Sequence, residues 1–122
     1  MKKTKIRWHD KPQKRDYPAA QSFLTLTREP RAAKALVSRL RAASVTEFAA
    51  KDIFRASELP LLGAGDRHVE RYRGQIQSGE PLSPILLCRD AALGKVIIAD
   101  GYHRLCAVYS FEEDAVVPCK II

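Results

Sequence analysis

The run Ser83-Pro84-Ile85-Leu86-Leu87-Cys88 constrains the fold more than any other part of the chain. A strand with one wet face alternates apolar and polar residues, whereas a nearly continuous apolar run marks a strand covered on both faces. Val96-Ile97-Ile98-Ala99 repeats the pattern, and Asp90-Ala91-Ala92-Leu93-Gly94 between the two reads as the turn of a hairpin. Asp100-Gly101 ends the second strand abruptly. Leu105, Cys106, Val108 and Tyr109 then carry helical spacing, and Val116 to Ile122 supply a final strand.

Upstream of these strands the pattern is helical. Asp16 is read as the cap of a short helix reaching about Leu26, with Pro18 in its first turn and Phe23 and Leu24 facing inward. A second helix restarts at Thr27-Arg28-Glu29-Pro30, its apolar positions Ala33, Leu36, Val37 and Leu40 falling at i, i+3, i+4 and i+7. Val45 to Ala49 alternates as a strand does. Asp52 is read as the cap of a short helical turn through Ile53, Phe54 and Ala56. Asp66 caps a longer helix, with Val69, Tyr72 and Ile76 inside and Gly79 as its stop. The predicted class is α/β in the α+β sense. A small mixed sheet is flanked by helices, two of them at the N-terminal side, in one domain over residues 17–122. Residues 1–16 form a basic arm ahead of it, pinned through Trp8.

Composition narrows the classes. A chain of 122 residues has room for one modest core. Hydrophobic and charged shares of 46% and 29% are ordinary for a soluble protein. No apolar run approaches the ~20 residues of a membrane helix, and the basic start Met1-Lys2-Lys3-Thr4-Lys5 lacks a following apolar leader segment. A cytoplasmic location without a membrane partner is the expectation. Cys88, Cys106 and Cys119 are odd in number and unpaired in spacing, so they read as packing residues rather than disulfides or zinc ligands.

The net charge of +7 is unevenly placed. Residues 1–16 hold seven Lys/Arg against Asp10 and Asp16, and residues 17–43 hold five against Glu29. The remaining chain holds nine bases against eleven acids. The basic third is a solvated face or, alternatively, a nucleic-acid surface acting through counterion release.

The segment Asp100-Gly101-Tyr102-His103-Arg104 carries the chemistry. A helix N-terminus presents unpaired N–H groups and a positive dipole end, which suit an anion. Gly101 lets backbone approach a ligand closely. His103 and Arg104 put two potential cations at the end of the helix that disfavours them, unless an anion arrives. The alternatives are structural: Asp100 as a plain cap, His103 bonded to a loop, and Arg104 paired with Glu112, Glu113 or Asp114.

On these residues, the chain from about 45 to 122 resembles the ParB/sulfiredoxin superfamily. The matching features are the strand Ser83-Pro84-Ile85-Leu86-Leu87, the motif Gly101-Tyr102-His103-Arg104 and the closing strand Val117-Pro118-Cys119-Lys120-Ile121. The whole chain, including Arg7-Trp8-His9-Asp10 and Asp16-Tyr17-Pro18-Ala19-Ala20, is also similar to a family of short bacterial proteins with an ADGYHR-CA-Y signature. The superfamily resemblance implies a nucleotide phosphate pocket lined by Gly101, His103 and Arg104, with Ser83 and Pro84 at its border. Asp100 resembles the acidic residue of the D-G-H-x-R motif in free serine kinases of this fold. Departures limit what carries over. Sulfiredoxin has Cys where this chain has Tyr102, and partition proteins have a following helix-turn-helix domain. Sulfinic acid reduction and centromere recognition are therefore not expected.

The functional expectation is a protein that binds a small phosphate-bearing ligand, such as a nucleotide (ATP, ADP or CTP) with Mg²⁺, with transfer or hydrolysis of a phosphoryl group left open as its enzymatic form. Asp100, His103 and Asp52 are the candidate catalytic residues. Gly101, Tyr102, His103, Arg104, Ser83, Pro84 and Arg55 are the candidate ligand-binding residues, and Asp100, Asp52 or Glu58 could hold the metal ion or act as base. The alternatives are a non-catalytic interaction or regulatory module, and nucleic-acid binding through the basic third.

Overall fold

A computed structural model describes residues 4–63 and 65–122. The chain folds as α+β, with five helices and a four-stranded mixed sheet among the described residues. In chain order these are α1 (Asp16–Leu24), α2 (Pro30–Ala42), β1 (Thr46–Ala49), α3 (Ala50–Ser57), α4 (Arg67–Gln77), β2 (Ile85–Asp90), β3 (Lys95–Asp100), α5 (Tyr102–Phe111) and β4 (Val116–Ile121). Strand order is β1-β4-β2-β3. β4 runs antiparallel to β1 and parallel to β2, and β2 and β3 form the antiparallel hairpin. None of the described helices is long and apolar enough to cross a membrane.

The two-sided burial read from the apolar runs is what the sheet displays. Ile85 and Leu87 of β2, with Val96 and Ile98 of β3, face a core shared with α3, α4 and α5. Leu86, Cys88 and Ala99 face a second core shared with α1 and α2. Because side chains alternate along a strand, adjacent residues of one hairpin serve two separate cores. Cys106 and Cys119 belong to the first core and Cys88 to the second. Burial raises all three thiols, Cys119 to about 11, so they remain neutral packing groups.

Several local expectations need correction. α1 stops at Leu24, and Phe23 is 46% exposed rather than inward. The buried stripe is Tyr17, Ala20 and Leu24, and Phe23 falls off it at 3.6 residues per turn. Asp16 is not the cap of α1. Arg15 holds that position without a side-chain bond, and Asp16 is buried as the first helical residue. Asp52 lies within the first turn of α3 behind Ala49, so it caps nothing. The hairpin also shifts: β2 starts at Ile85 rather than Ser83 and reaches Asp90, β3 extends by a residue at each end, and the Asp90 carboxylate accepts from the Leu93 N–H at 3.1 Å inside the turn.

Elsewhere the sequence signals match. Asp66 caps α4 by accepting from the His68 and Val69 N–H groups at 2.9 and 3.0 Å, and these bonds, Val69 first, hold its carboxyl below the ordinary range. Ala33, Val37 and Leu40 are the buried face of α2. The arm is tied down where Trp8 bridges Leu82 as a short parallel ladder: Leu82 N–H donates to Arg7 and His9 N–H donates to Leu82, both at 2.8 Å. Ile6 and Trp8 pack against the first core.

Candidate functional site

The start of α5 is built by a left-handed residue. Gly101 sits at φ 106° as the N-cap, with no side-chain cap bond. A Cβ there would lie 2.9 Å from Arg104 Nη2 and 2.9 Å from Ile85 Cγ1. The space that a glycine was expected to leave open for a ligand is filled by the chain's own guanidinium and core.

Asp100, released from capping, reaches one turn ahead instead. Its Oδ2 accepts from Arg104 Nη2 at 2.8 Å. Arg104 is only 6% exposed. Asp16 Oδ1 stands 3.9 Å from its Nη1, the Pro84 carbonyl accepts from Nη2 at 3.5 Å, and the Tyr72 ring centroid lies 5.9 Å from its Cζ. Asp16 is itself 4% exposed and binds elsewhere too. Its Oδ2 accepts from the Gln13 N–H at 2.9 Å and from the Ser83 hydroxyl, which in turn accepts from Gln13 at 3.0 Å. One buried arginine and two carboxylates thus join the arm, α1, the approach to β2, the end of β3 and α5.

The electrostatics follow from that crowding. Burial works against the Arg104 charge, but the attraction and hydrogen bond of Asp100, with Asp16 and Tyr72 behind them, outweigh it and raise its pKa. Burial also pushes the Asp100 carboxyl above its ordinary value; Arg104 opposes the rise and Asp16 adds to it. Two acids thus share one guanidinium, and the second of them adds to the cost of ionising Asp100. The anion that the helix start was expected to await is therefore supplied from within. Glu112, Glu113 and Asp114, the partners expected for Arg104 on structural grounds, are not the ones it uses. Its Nε–H is buried and has no partner among the described residues.

A polar cavity of about 670 Å³ opens beside this cluster. Asp16, Ser83, Asp100 and Arg104 line one wall, and Tyr72, Arg71 and Gln75 of α4 another. His9, Gln13 and Arg15 of the arm also line it, as does Glu80. None of the ion pairs among the described residues includes Arg15 or Arg71. Arg71 instead reaches Tyr72, by a 3.3 Å bond to the hydroxyl and across its ring.

The expected site residues divide. Asp100, Arg104, Ser83 and Pro84 come together. His103 does not join them: its ring lies 5.0 Å from His68 and 5.4 Å from Tyr102, beside the capped start of α4. Tyr102 donates its hydroxyl to the Pro60 carbonyl, and burial is the first cause raising its pKa. Asp52 and Arg55 lie apart again, 3.9 Å from each other on α3, with Asp52 lining a separate apolar hollow. No group of three or more His, Cys, Asp or Glu among the described residues converges on a metal position. Asp16 and Asp100 are already committed to Arg104, so these residues do not fit a Mg²⁺ held by the protein alone.

Sequence reasoning missed Asp16, Tyr72, Arg71, Arg15, His9, Gln13, Gln75 and Glu80. The available signal was Asp16 itself, an acid directly before Tyr17-Pro18 whose side chain had two possible destinations. Comparison with family models, with curated proteins and with solved structures finds no match to this chain.

Proposed function

We propose that the chain binds a small phosphate-bearing ligand, of the nucleotide kind, in the polar cavity, on a ParB/sulfiredoxin-like fold. The observation that carries the reading is the pair Arg15 and Arg71, two cations with no ion pair among the described residues, on the wall of a cavity of about 670 Å³, a size ordinary for small-ligand sites. Arg104 serves the site indirectly. It fixes Asp100 and Asp16 and answers the negative charge that an incoming phosphate would otherwise meet. Binding without turnover is the better supported form. Asp100, the candidate base, is hydrogen-bonded to Arg104, and His103 lies with His68 rather than at the cavity.

Isothermal titration with ATP, ADP, CTP and inorganic phosphate, each with and without Mg²⁺, tests this. The expected result is saturable binding of at least one nucleotide, weakened at least tenfold in a folded Arg15→Ala/Arg71→Ala variant. Wild-type affinity in that variant would defeat the reading. Phosphate release during long incubation would replace the binding-only form with an enzymatic one.

A further inference from the structure

The geometry points to a second ligand site, independent of the polar cavity: the hollow beneath the β2–β3 hairpin takes a small amphiphile with an apolar body and one carboxylate, anchored by Arg89. This hollow has a volume of about 450 Å³. Its walls are Phe48 of β1, Ile53 and Ala56 of α3, and Leu87, Val96 and Ile121 of the sheet. Leu87, Val96 and Ile53 are buried members of the first core, so the hollow is an unfilled margin of that core. Phe48, 38% exposed, stands at its edge. Hydrocarbon walls have nothing to offer the hydroxyls of a sugar or the several charges of a nucleotide, whereas they favour any apolar tail they exclude from water.

The charges at the mouth choose the head group. Four charged residues reach it: Asp52, Arg89, Asp90 and Lys95. Asp52 has Arg55 at 3.9 Å, and Asp90 accepts from the Leu93 N–H. Lys95 stands directly across the hairpin from Asp90, a cross-strand pair of opposite sign. Arg89 stands across from Val96, on the sheet face that carries Leu87 and the hollow. None of the ion pairs among the described residues includes Arg89. An exposed guanidinium above hydrocarbon walls is complementary to a carboxylate on an alkyl or aryl body, which it can hold through two parallel N–H donors.

The test is a titration of the full chain with hexanoate, octanoate, decanoate and decanol, below their aggregation limits and followed by amide chemical shifts. Expected are saturable shifts at Leu87, Val96 and Ile121 and affinities rising roughly fourfold per added methylene. Decanol should bind at least tenfold more weakly than decanoate. Arg89→Gln, at an exposed position, should bring decanoate down to the decanol level, and Ala56→Trp should abolish both. Equal binding of decanol and decanoate, unchanged binding in Arg89→Gln, or shifts confined to other residues would each overturn the proposal. So would a wild-type dimer in sedimentation that Ala56→Trp converts to monomer, since the hollow would then belong to a second copy of the chain.

Discussion

Arg104 and Arg89 are both guanidiniums beside a hollow, and their surroundings are opposite. Arg104 is 6% exposed, with Asp100 at 2.8 Å and Asp16 at 3.9 Å. Arg89 is exposed at the end of β2, above apolar walls, with no ion pair among the described residues. The first arginine lies in the sequence segment that announces a site, and the second lies in a stretch that announces only a strand. An arginine's bearing on a ligand is decided by how its charge is already answered. By that measure the buried residue is chiefly a tie between elements, and the exposed one is free to recognise an anion.

The largest expected effect breaks the comparison most directly. Arg104→Ala leaves two buried carboxylates facing each other without a cation, and removing one partner of a buried pair typically costs about 3–5 kcal/mol. Arg89→Ala, at an exposed site, should stay within about 0.5 kcal/mol. Urea unfolding of both variants reads the contrast. Similar midpoints would mean that the Arg104 cluster does not hold the elements together. The triple variant Asp16→Asn/Asp100→Asn/Arg104→Met should recover much of the loss, since it removes the charges with the cation.

Gly101→Ala comes next. At φ 106° an alanine is strained whatever surrounds it, and its Cβ would press on Arg104 and Ile85 at 2.9 Å. A loss of roughly 2 kcal/mol or more is expected from strain and overpacking together. Combining it with Arg104→Ala, which removes half of the clash, should give less than the sum of the two losses. Strict additivity would show that the Arg104 contact adds nothing, leaving backbone strain and Ile85 as the causes.

The fold was legible where a signal is local. The apolar runs at 83–88 and 96–99 marked a strand pair buried on both sides, and Ala33, Val37 and Leu40 marked the inner face of α2. Asp66 declared itself as a cap because its targets lie two and three residues ahead. Asp16 and Asp52 look the same in sequence, yet neither caps. The Asp16 carboxylate is drawn to Ser83, 67 residues away, and to Arg104 beyond it. No local pattern carries that choice. The site was half legible for a related reason. Asp100, Ser83, Pro84 and Arg104 converge as expected, while Asp52 lines the separate apolar hollow and Arg55 lies 3.9 Å from it on α3. Successive helical residues point about 100° apart, so His103 and Arg104 were never equivalent occupants of one pocket.

The pH dependence sharpens the account of Arg104. The Asp100 carboxyl lies above its ordinary 3.8, first through burial, with Arg104 opposing and Asp16 reinforcing. Between 3.8 and the raised value the folded chain holds a proton that the unfolded chain has released. The stability linked to that proton is complete below 3.8 and is lost as pH rises through the raised value. Asp100→Asn cannot titrate, so the wild-type midpoint minus the variant midpoint should fall with rising pH across this window. A difference that grew with pH would mean that Arg104 dominates and the carboxyl is ionised throughout.

The smallest expected effect is the most discriminating for the ligand. His103 and Arg104 are neighbours in the same helical turn, and the expectation of a phosphate pocket there treats them as a pair. Here the turn separates them: Arg104 lines the polar cavity, while the His103 ring lies with His68 and Tyr102 at the head of α4. His103→Ala removes ring contacts with His68 and Tyr102 but no ion pair among the described residues, so the stability change should stay within about 0.5 kcal/mol and nucleotide affinity should not change. Arg15→Ala/Arg71→Ala should give the reverse outcome, a similar fold with weakened binding. If His103→Ala abolished binding while the double arginine variant kept it, the ligand would lie between α4 and α5 at the two histidines. The cavity beneath the arm would then be only the space left around a structural ion cluster.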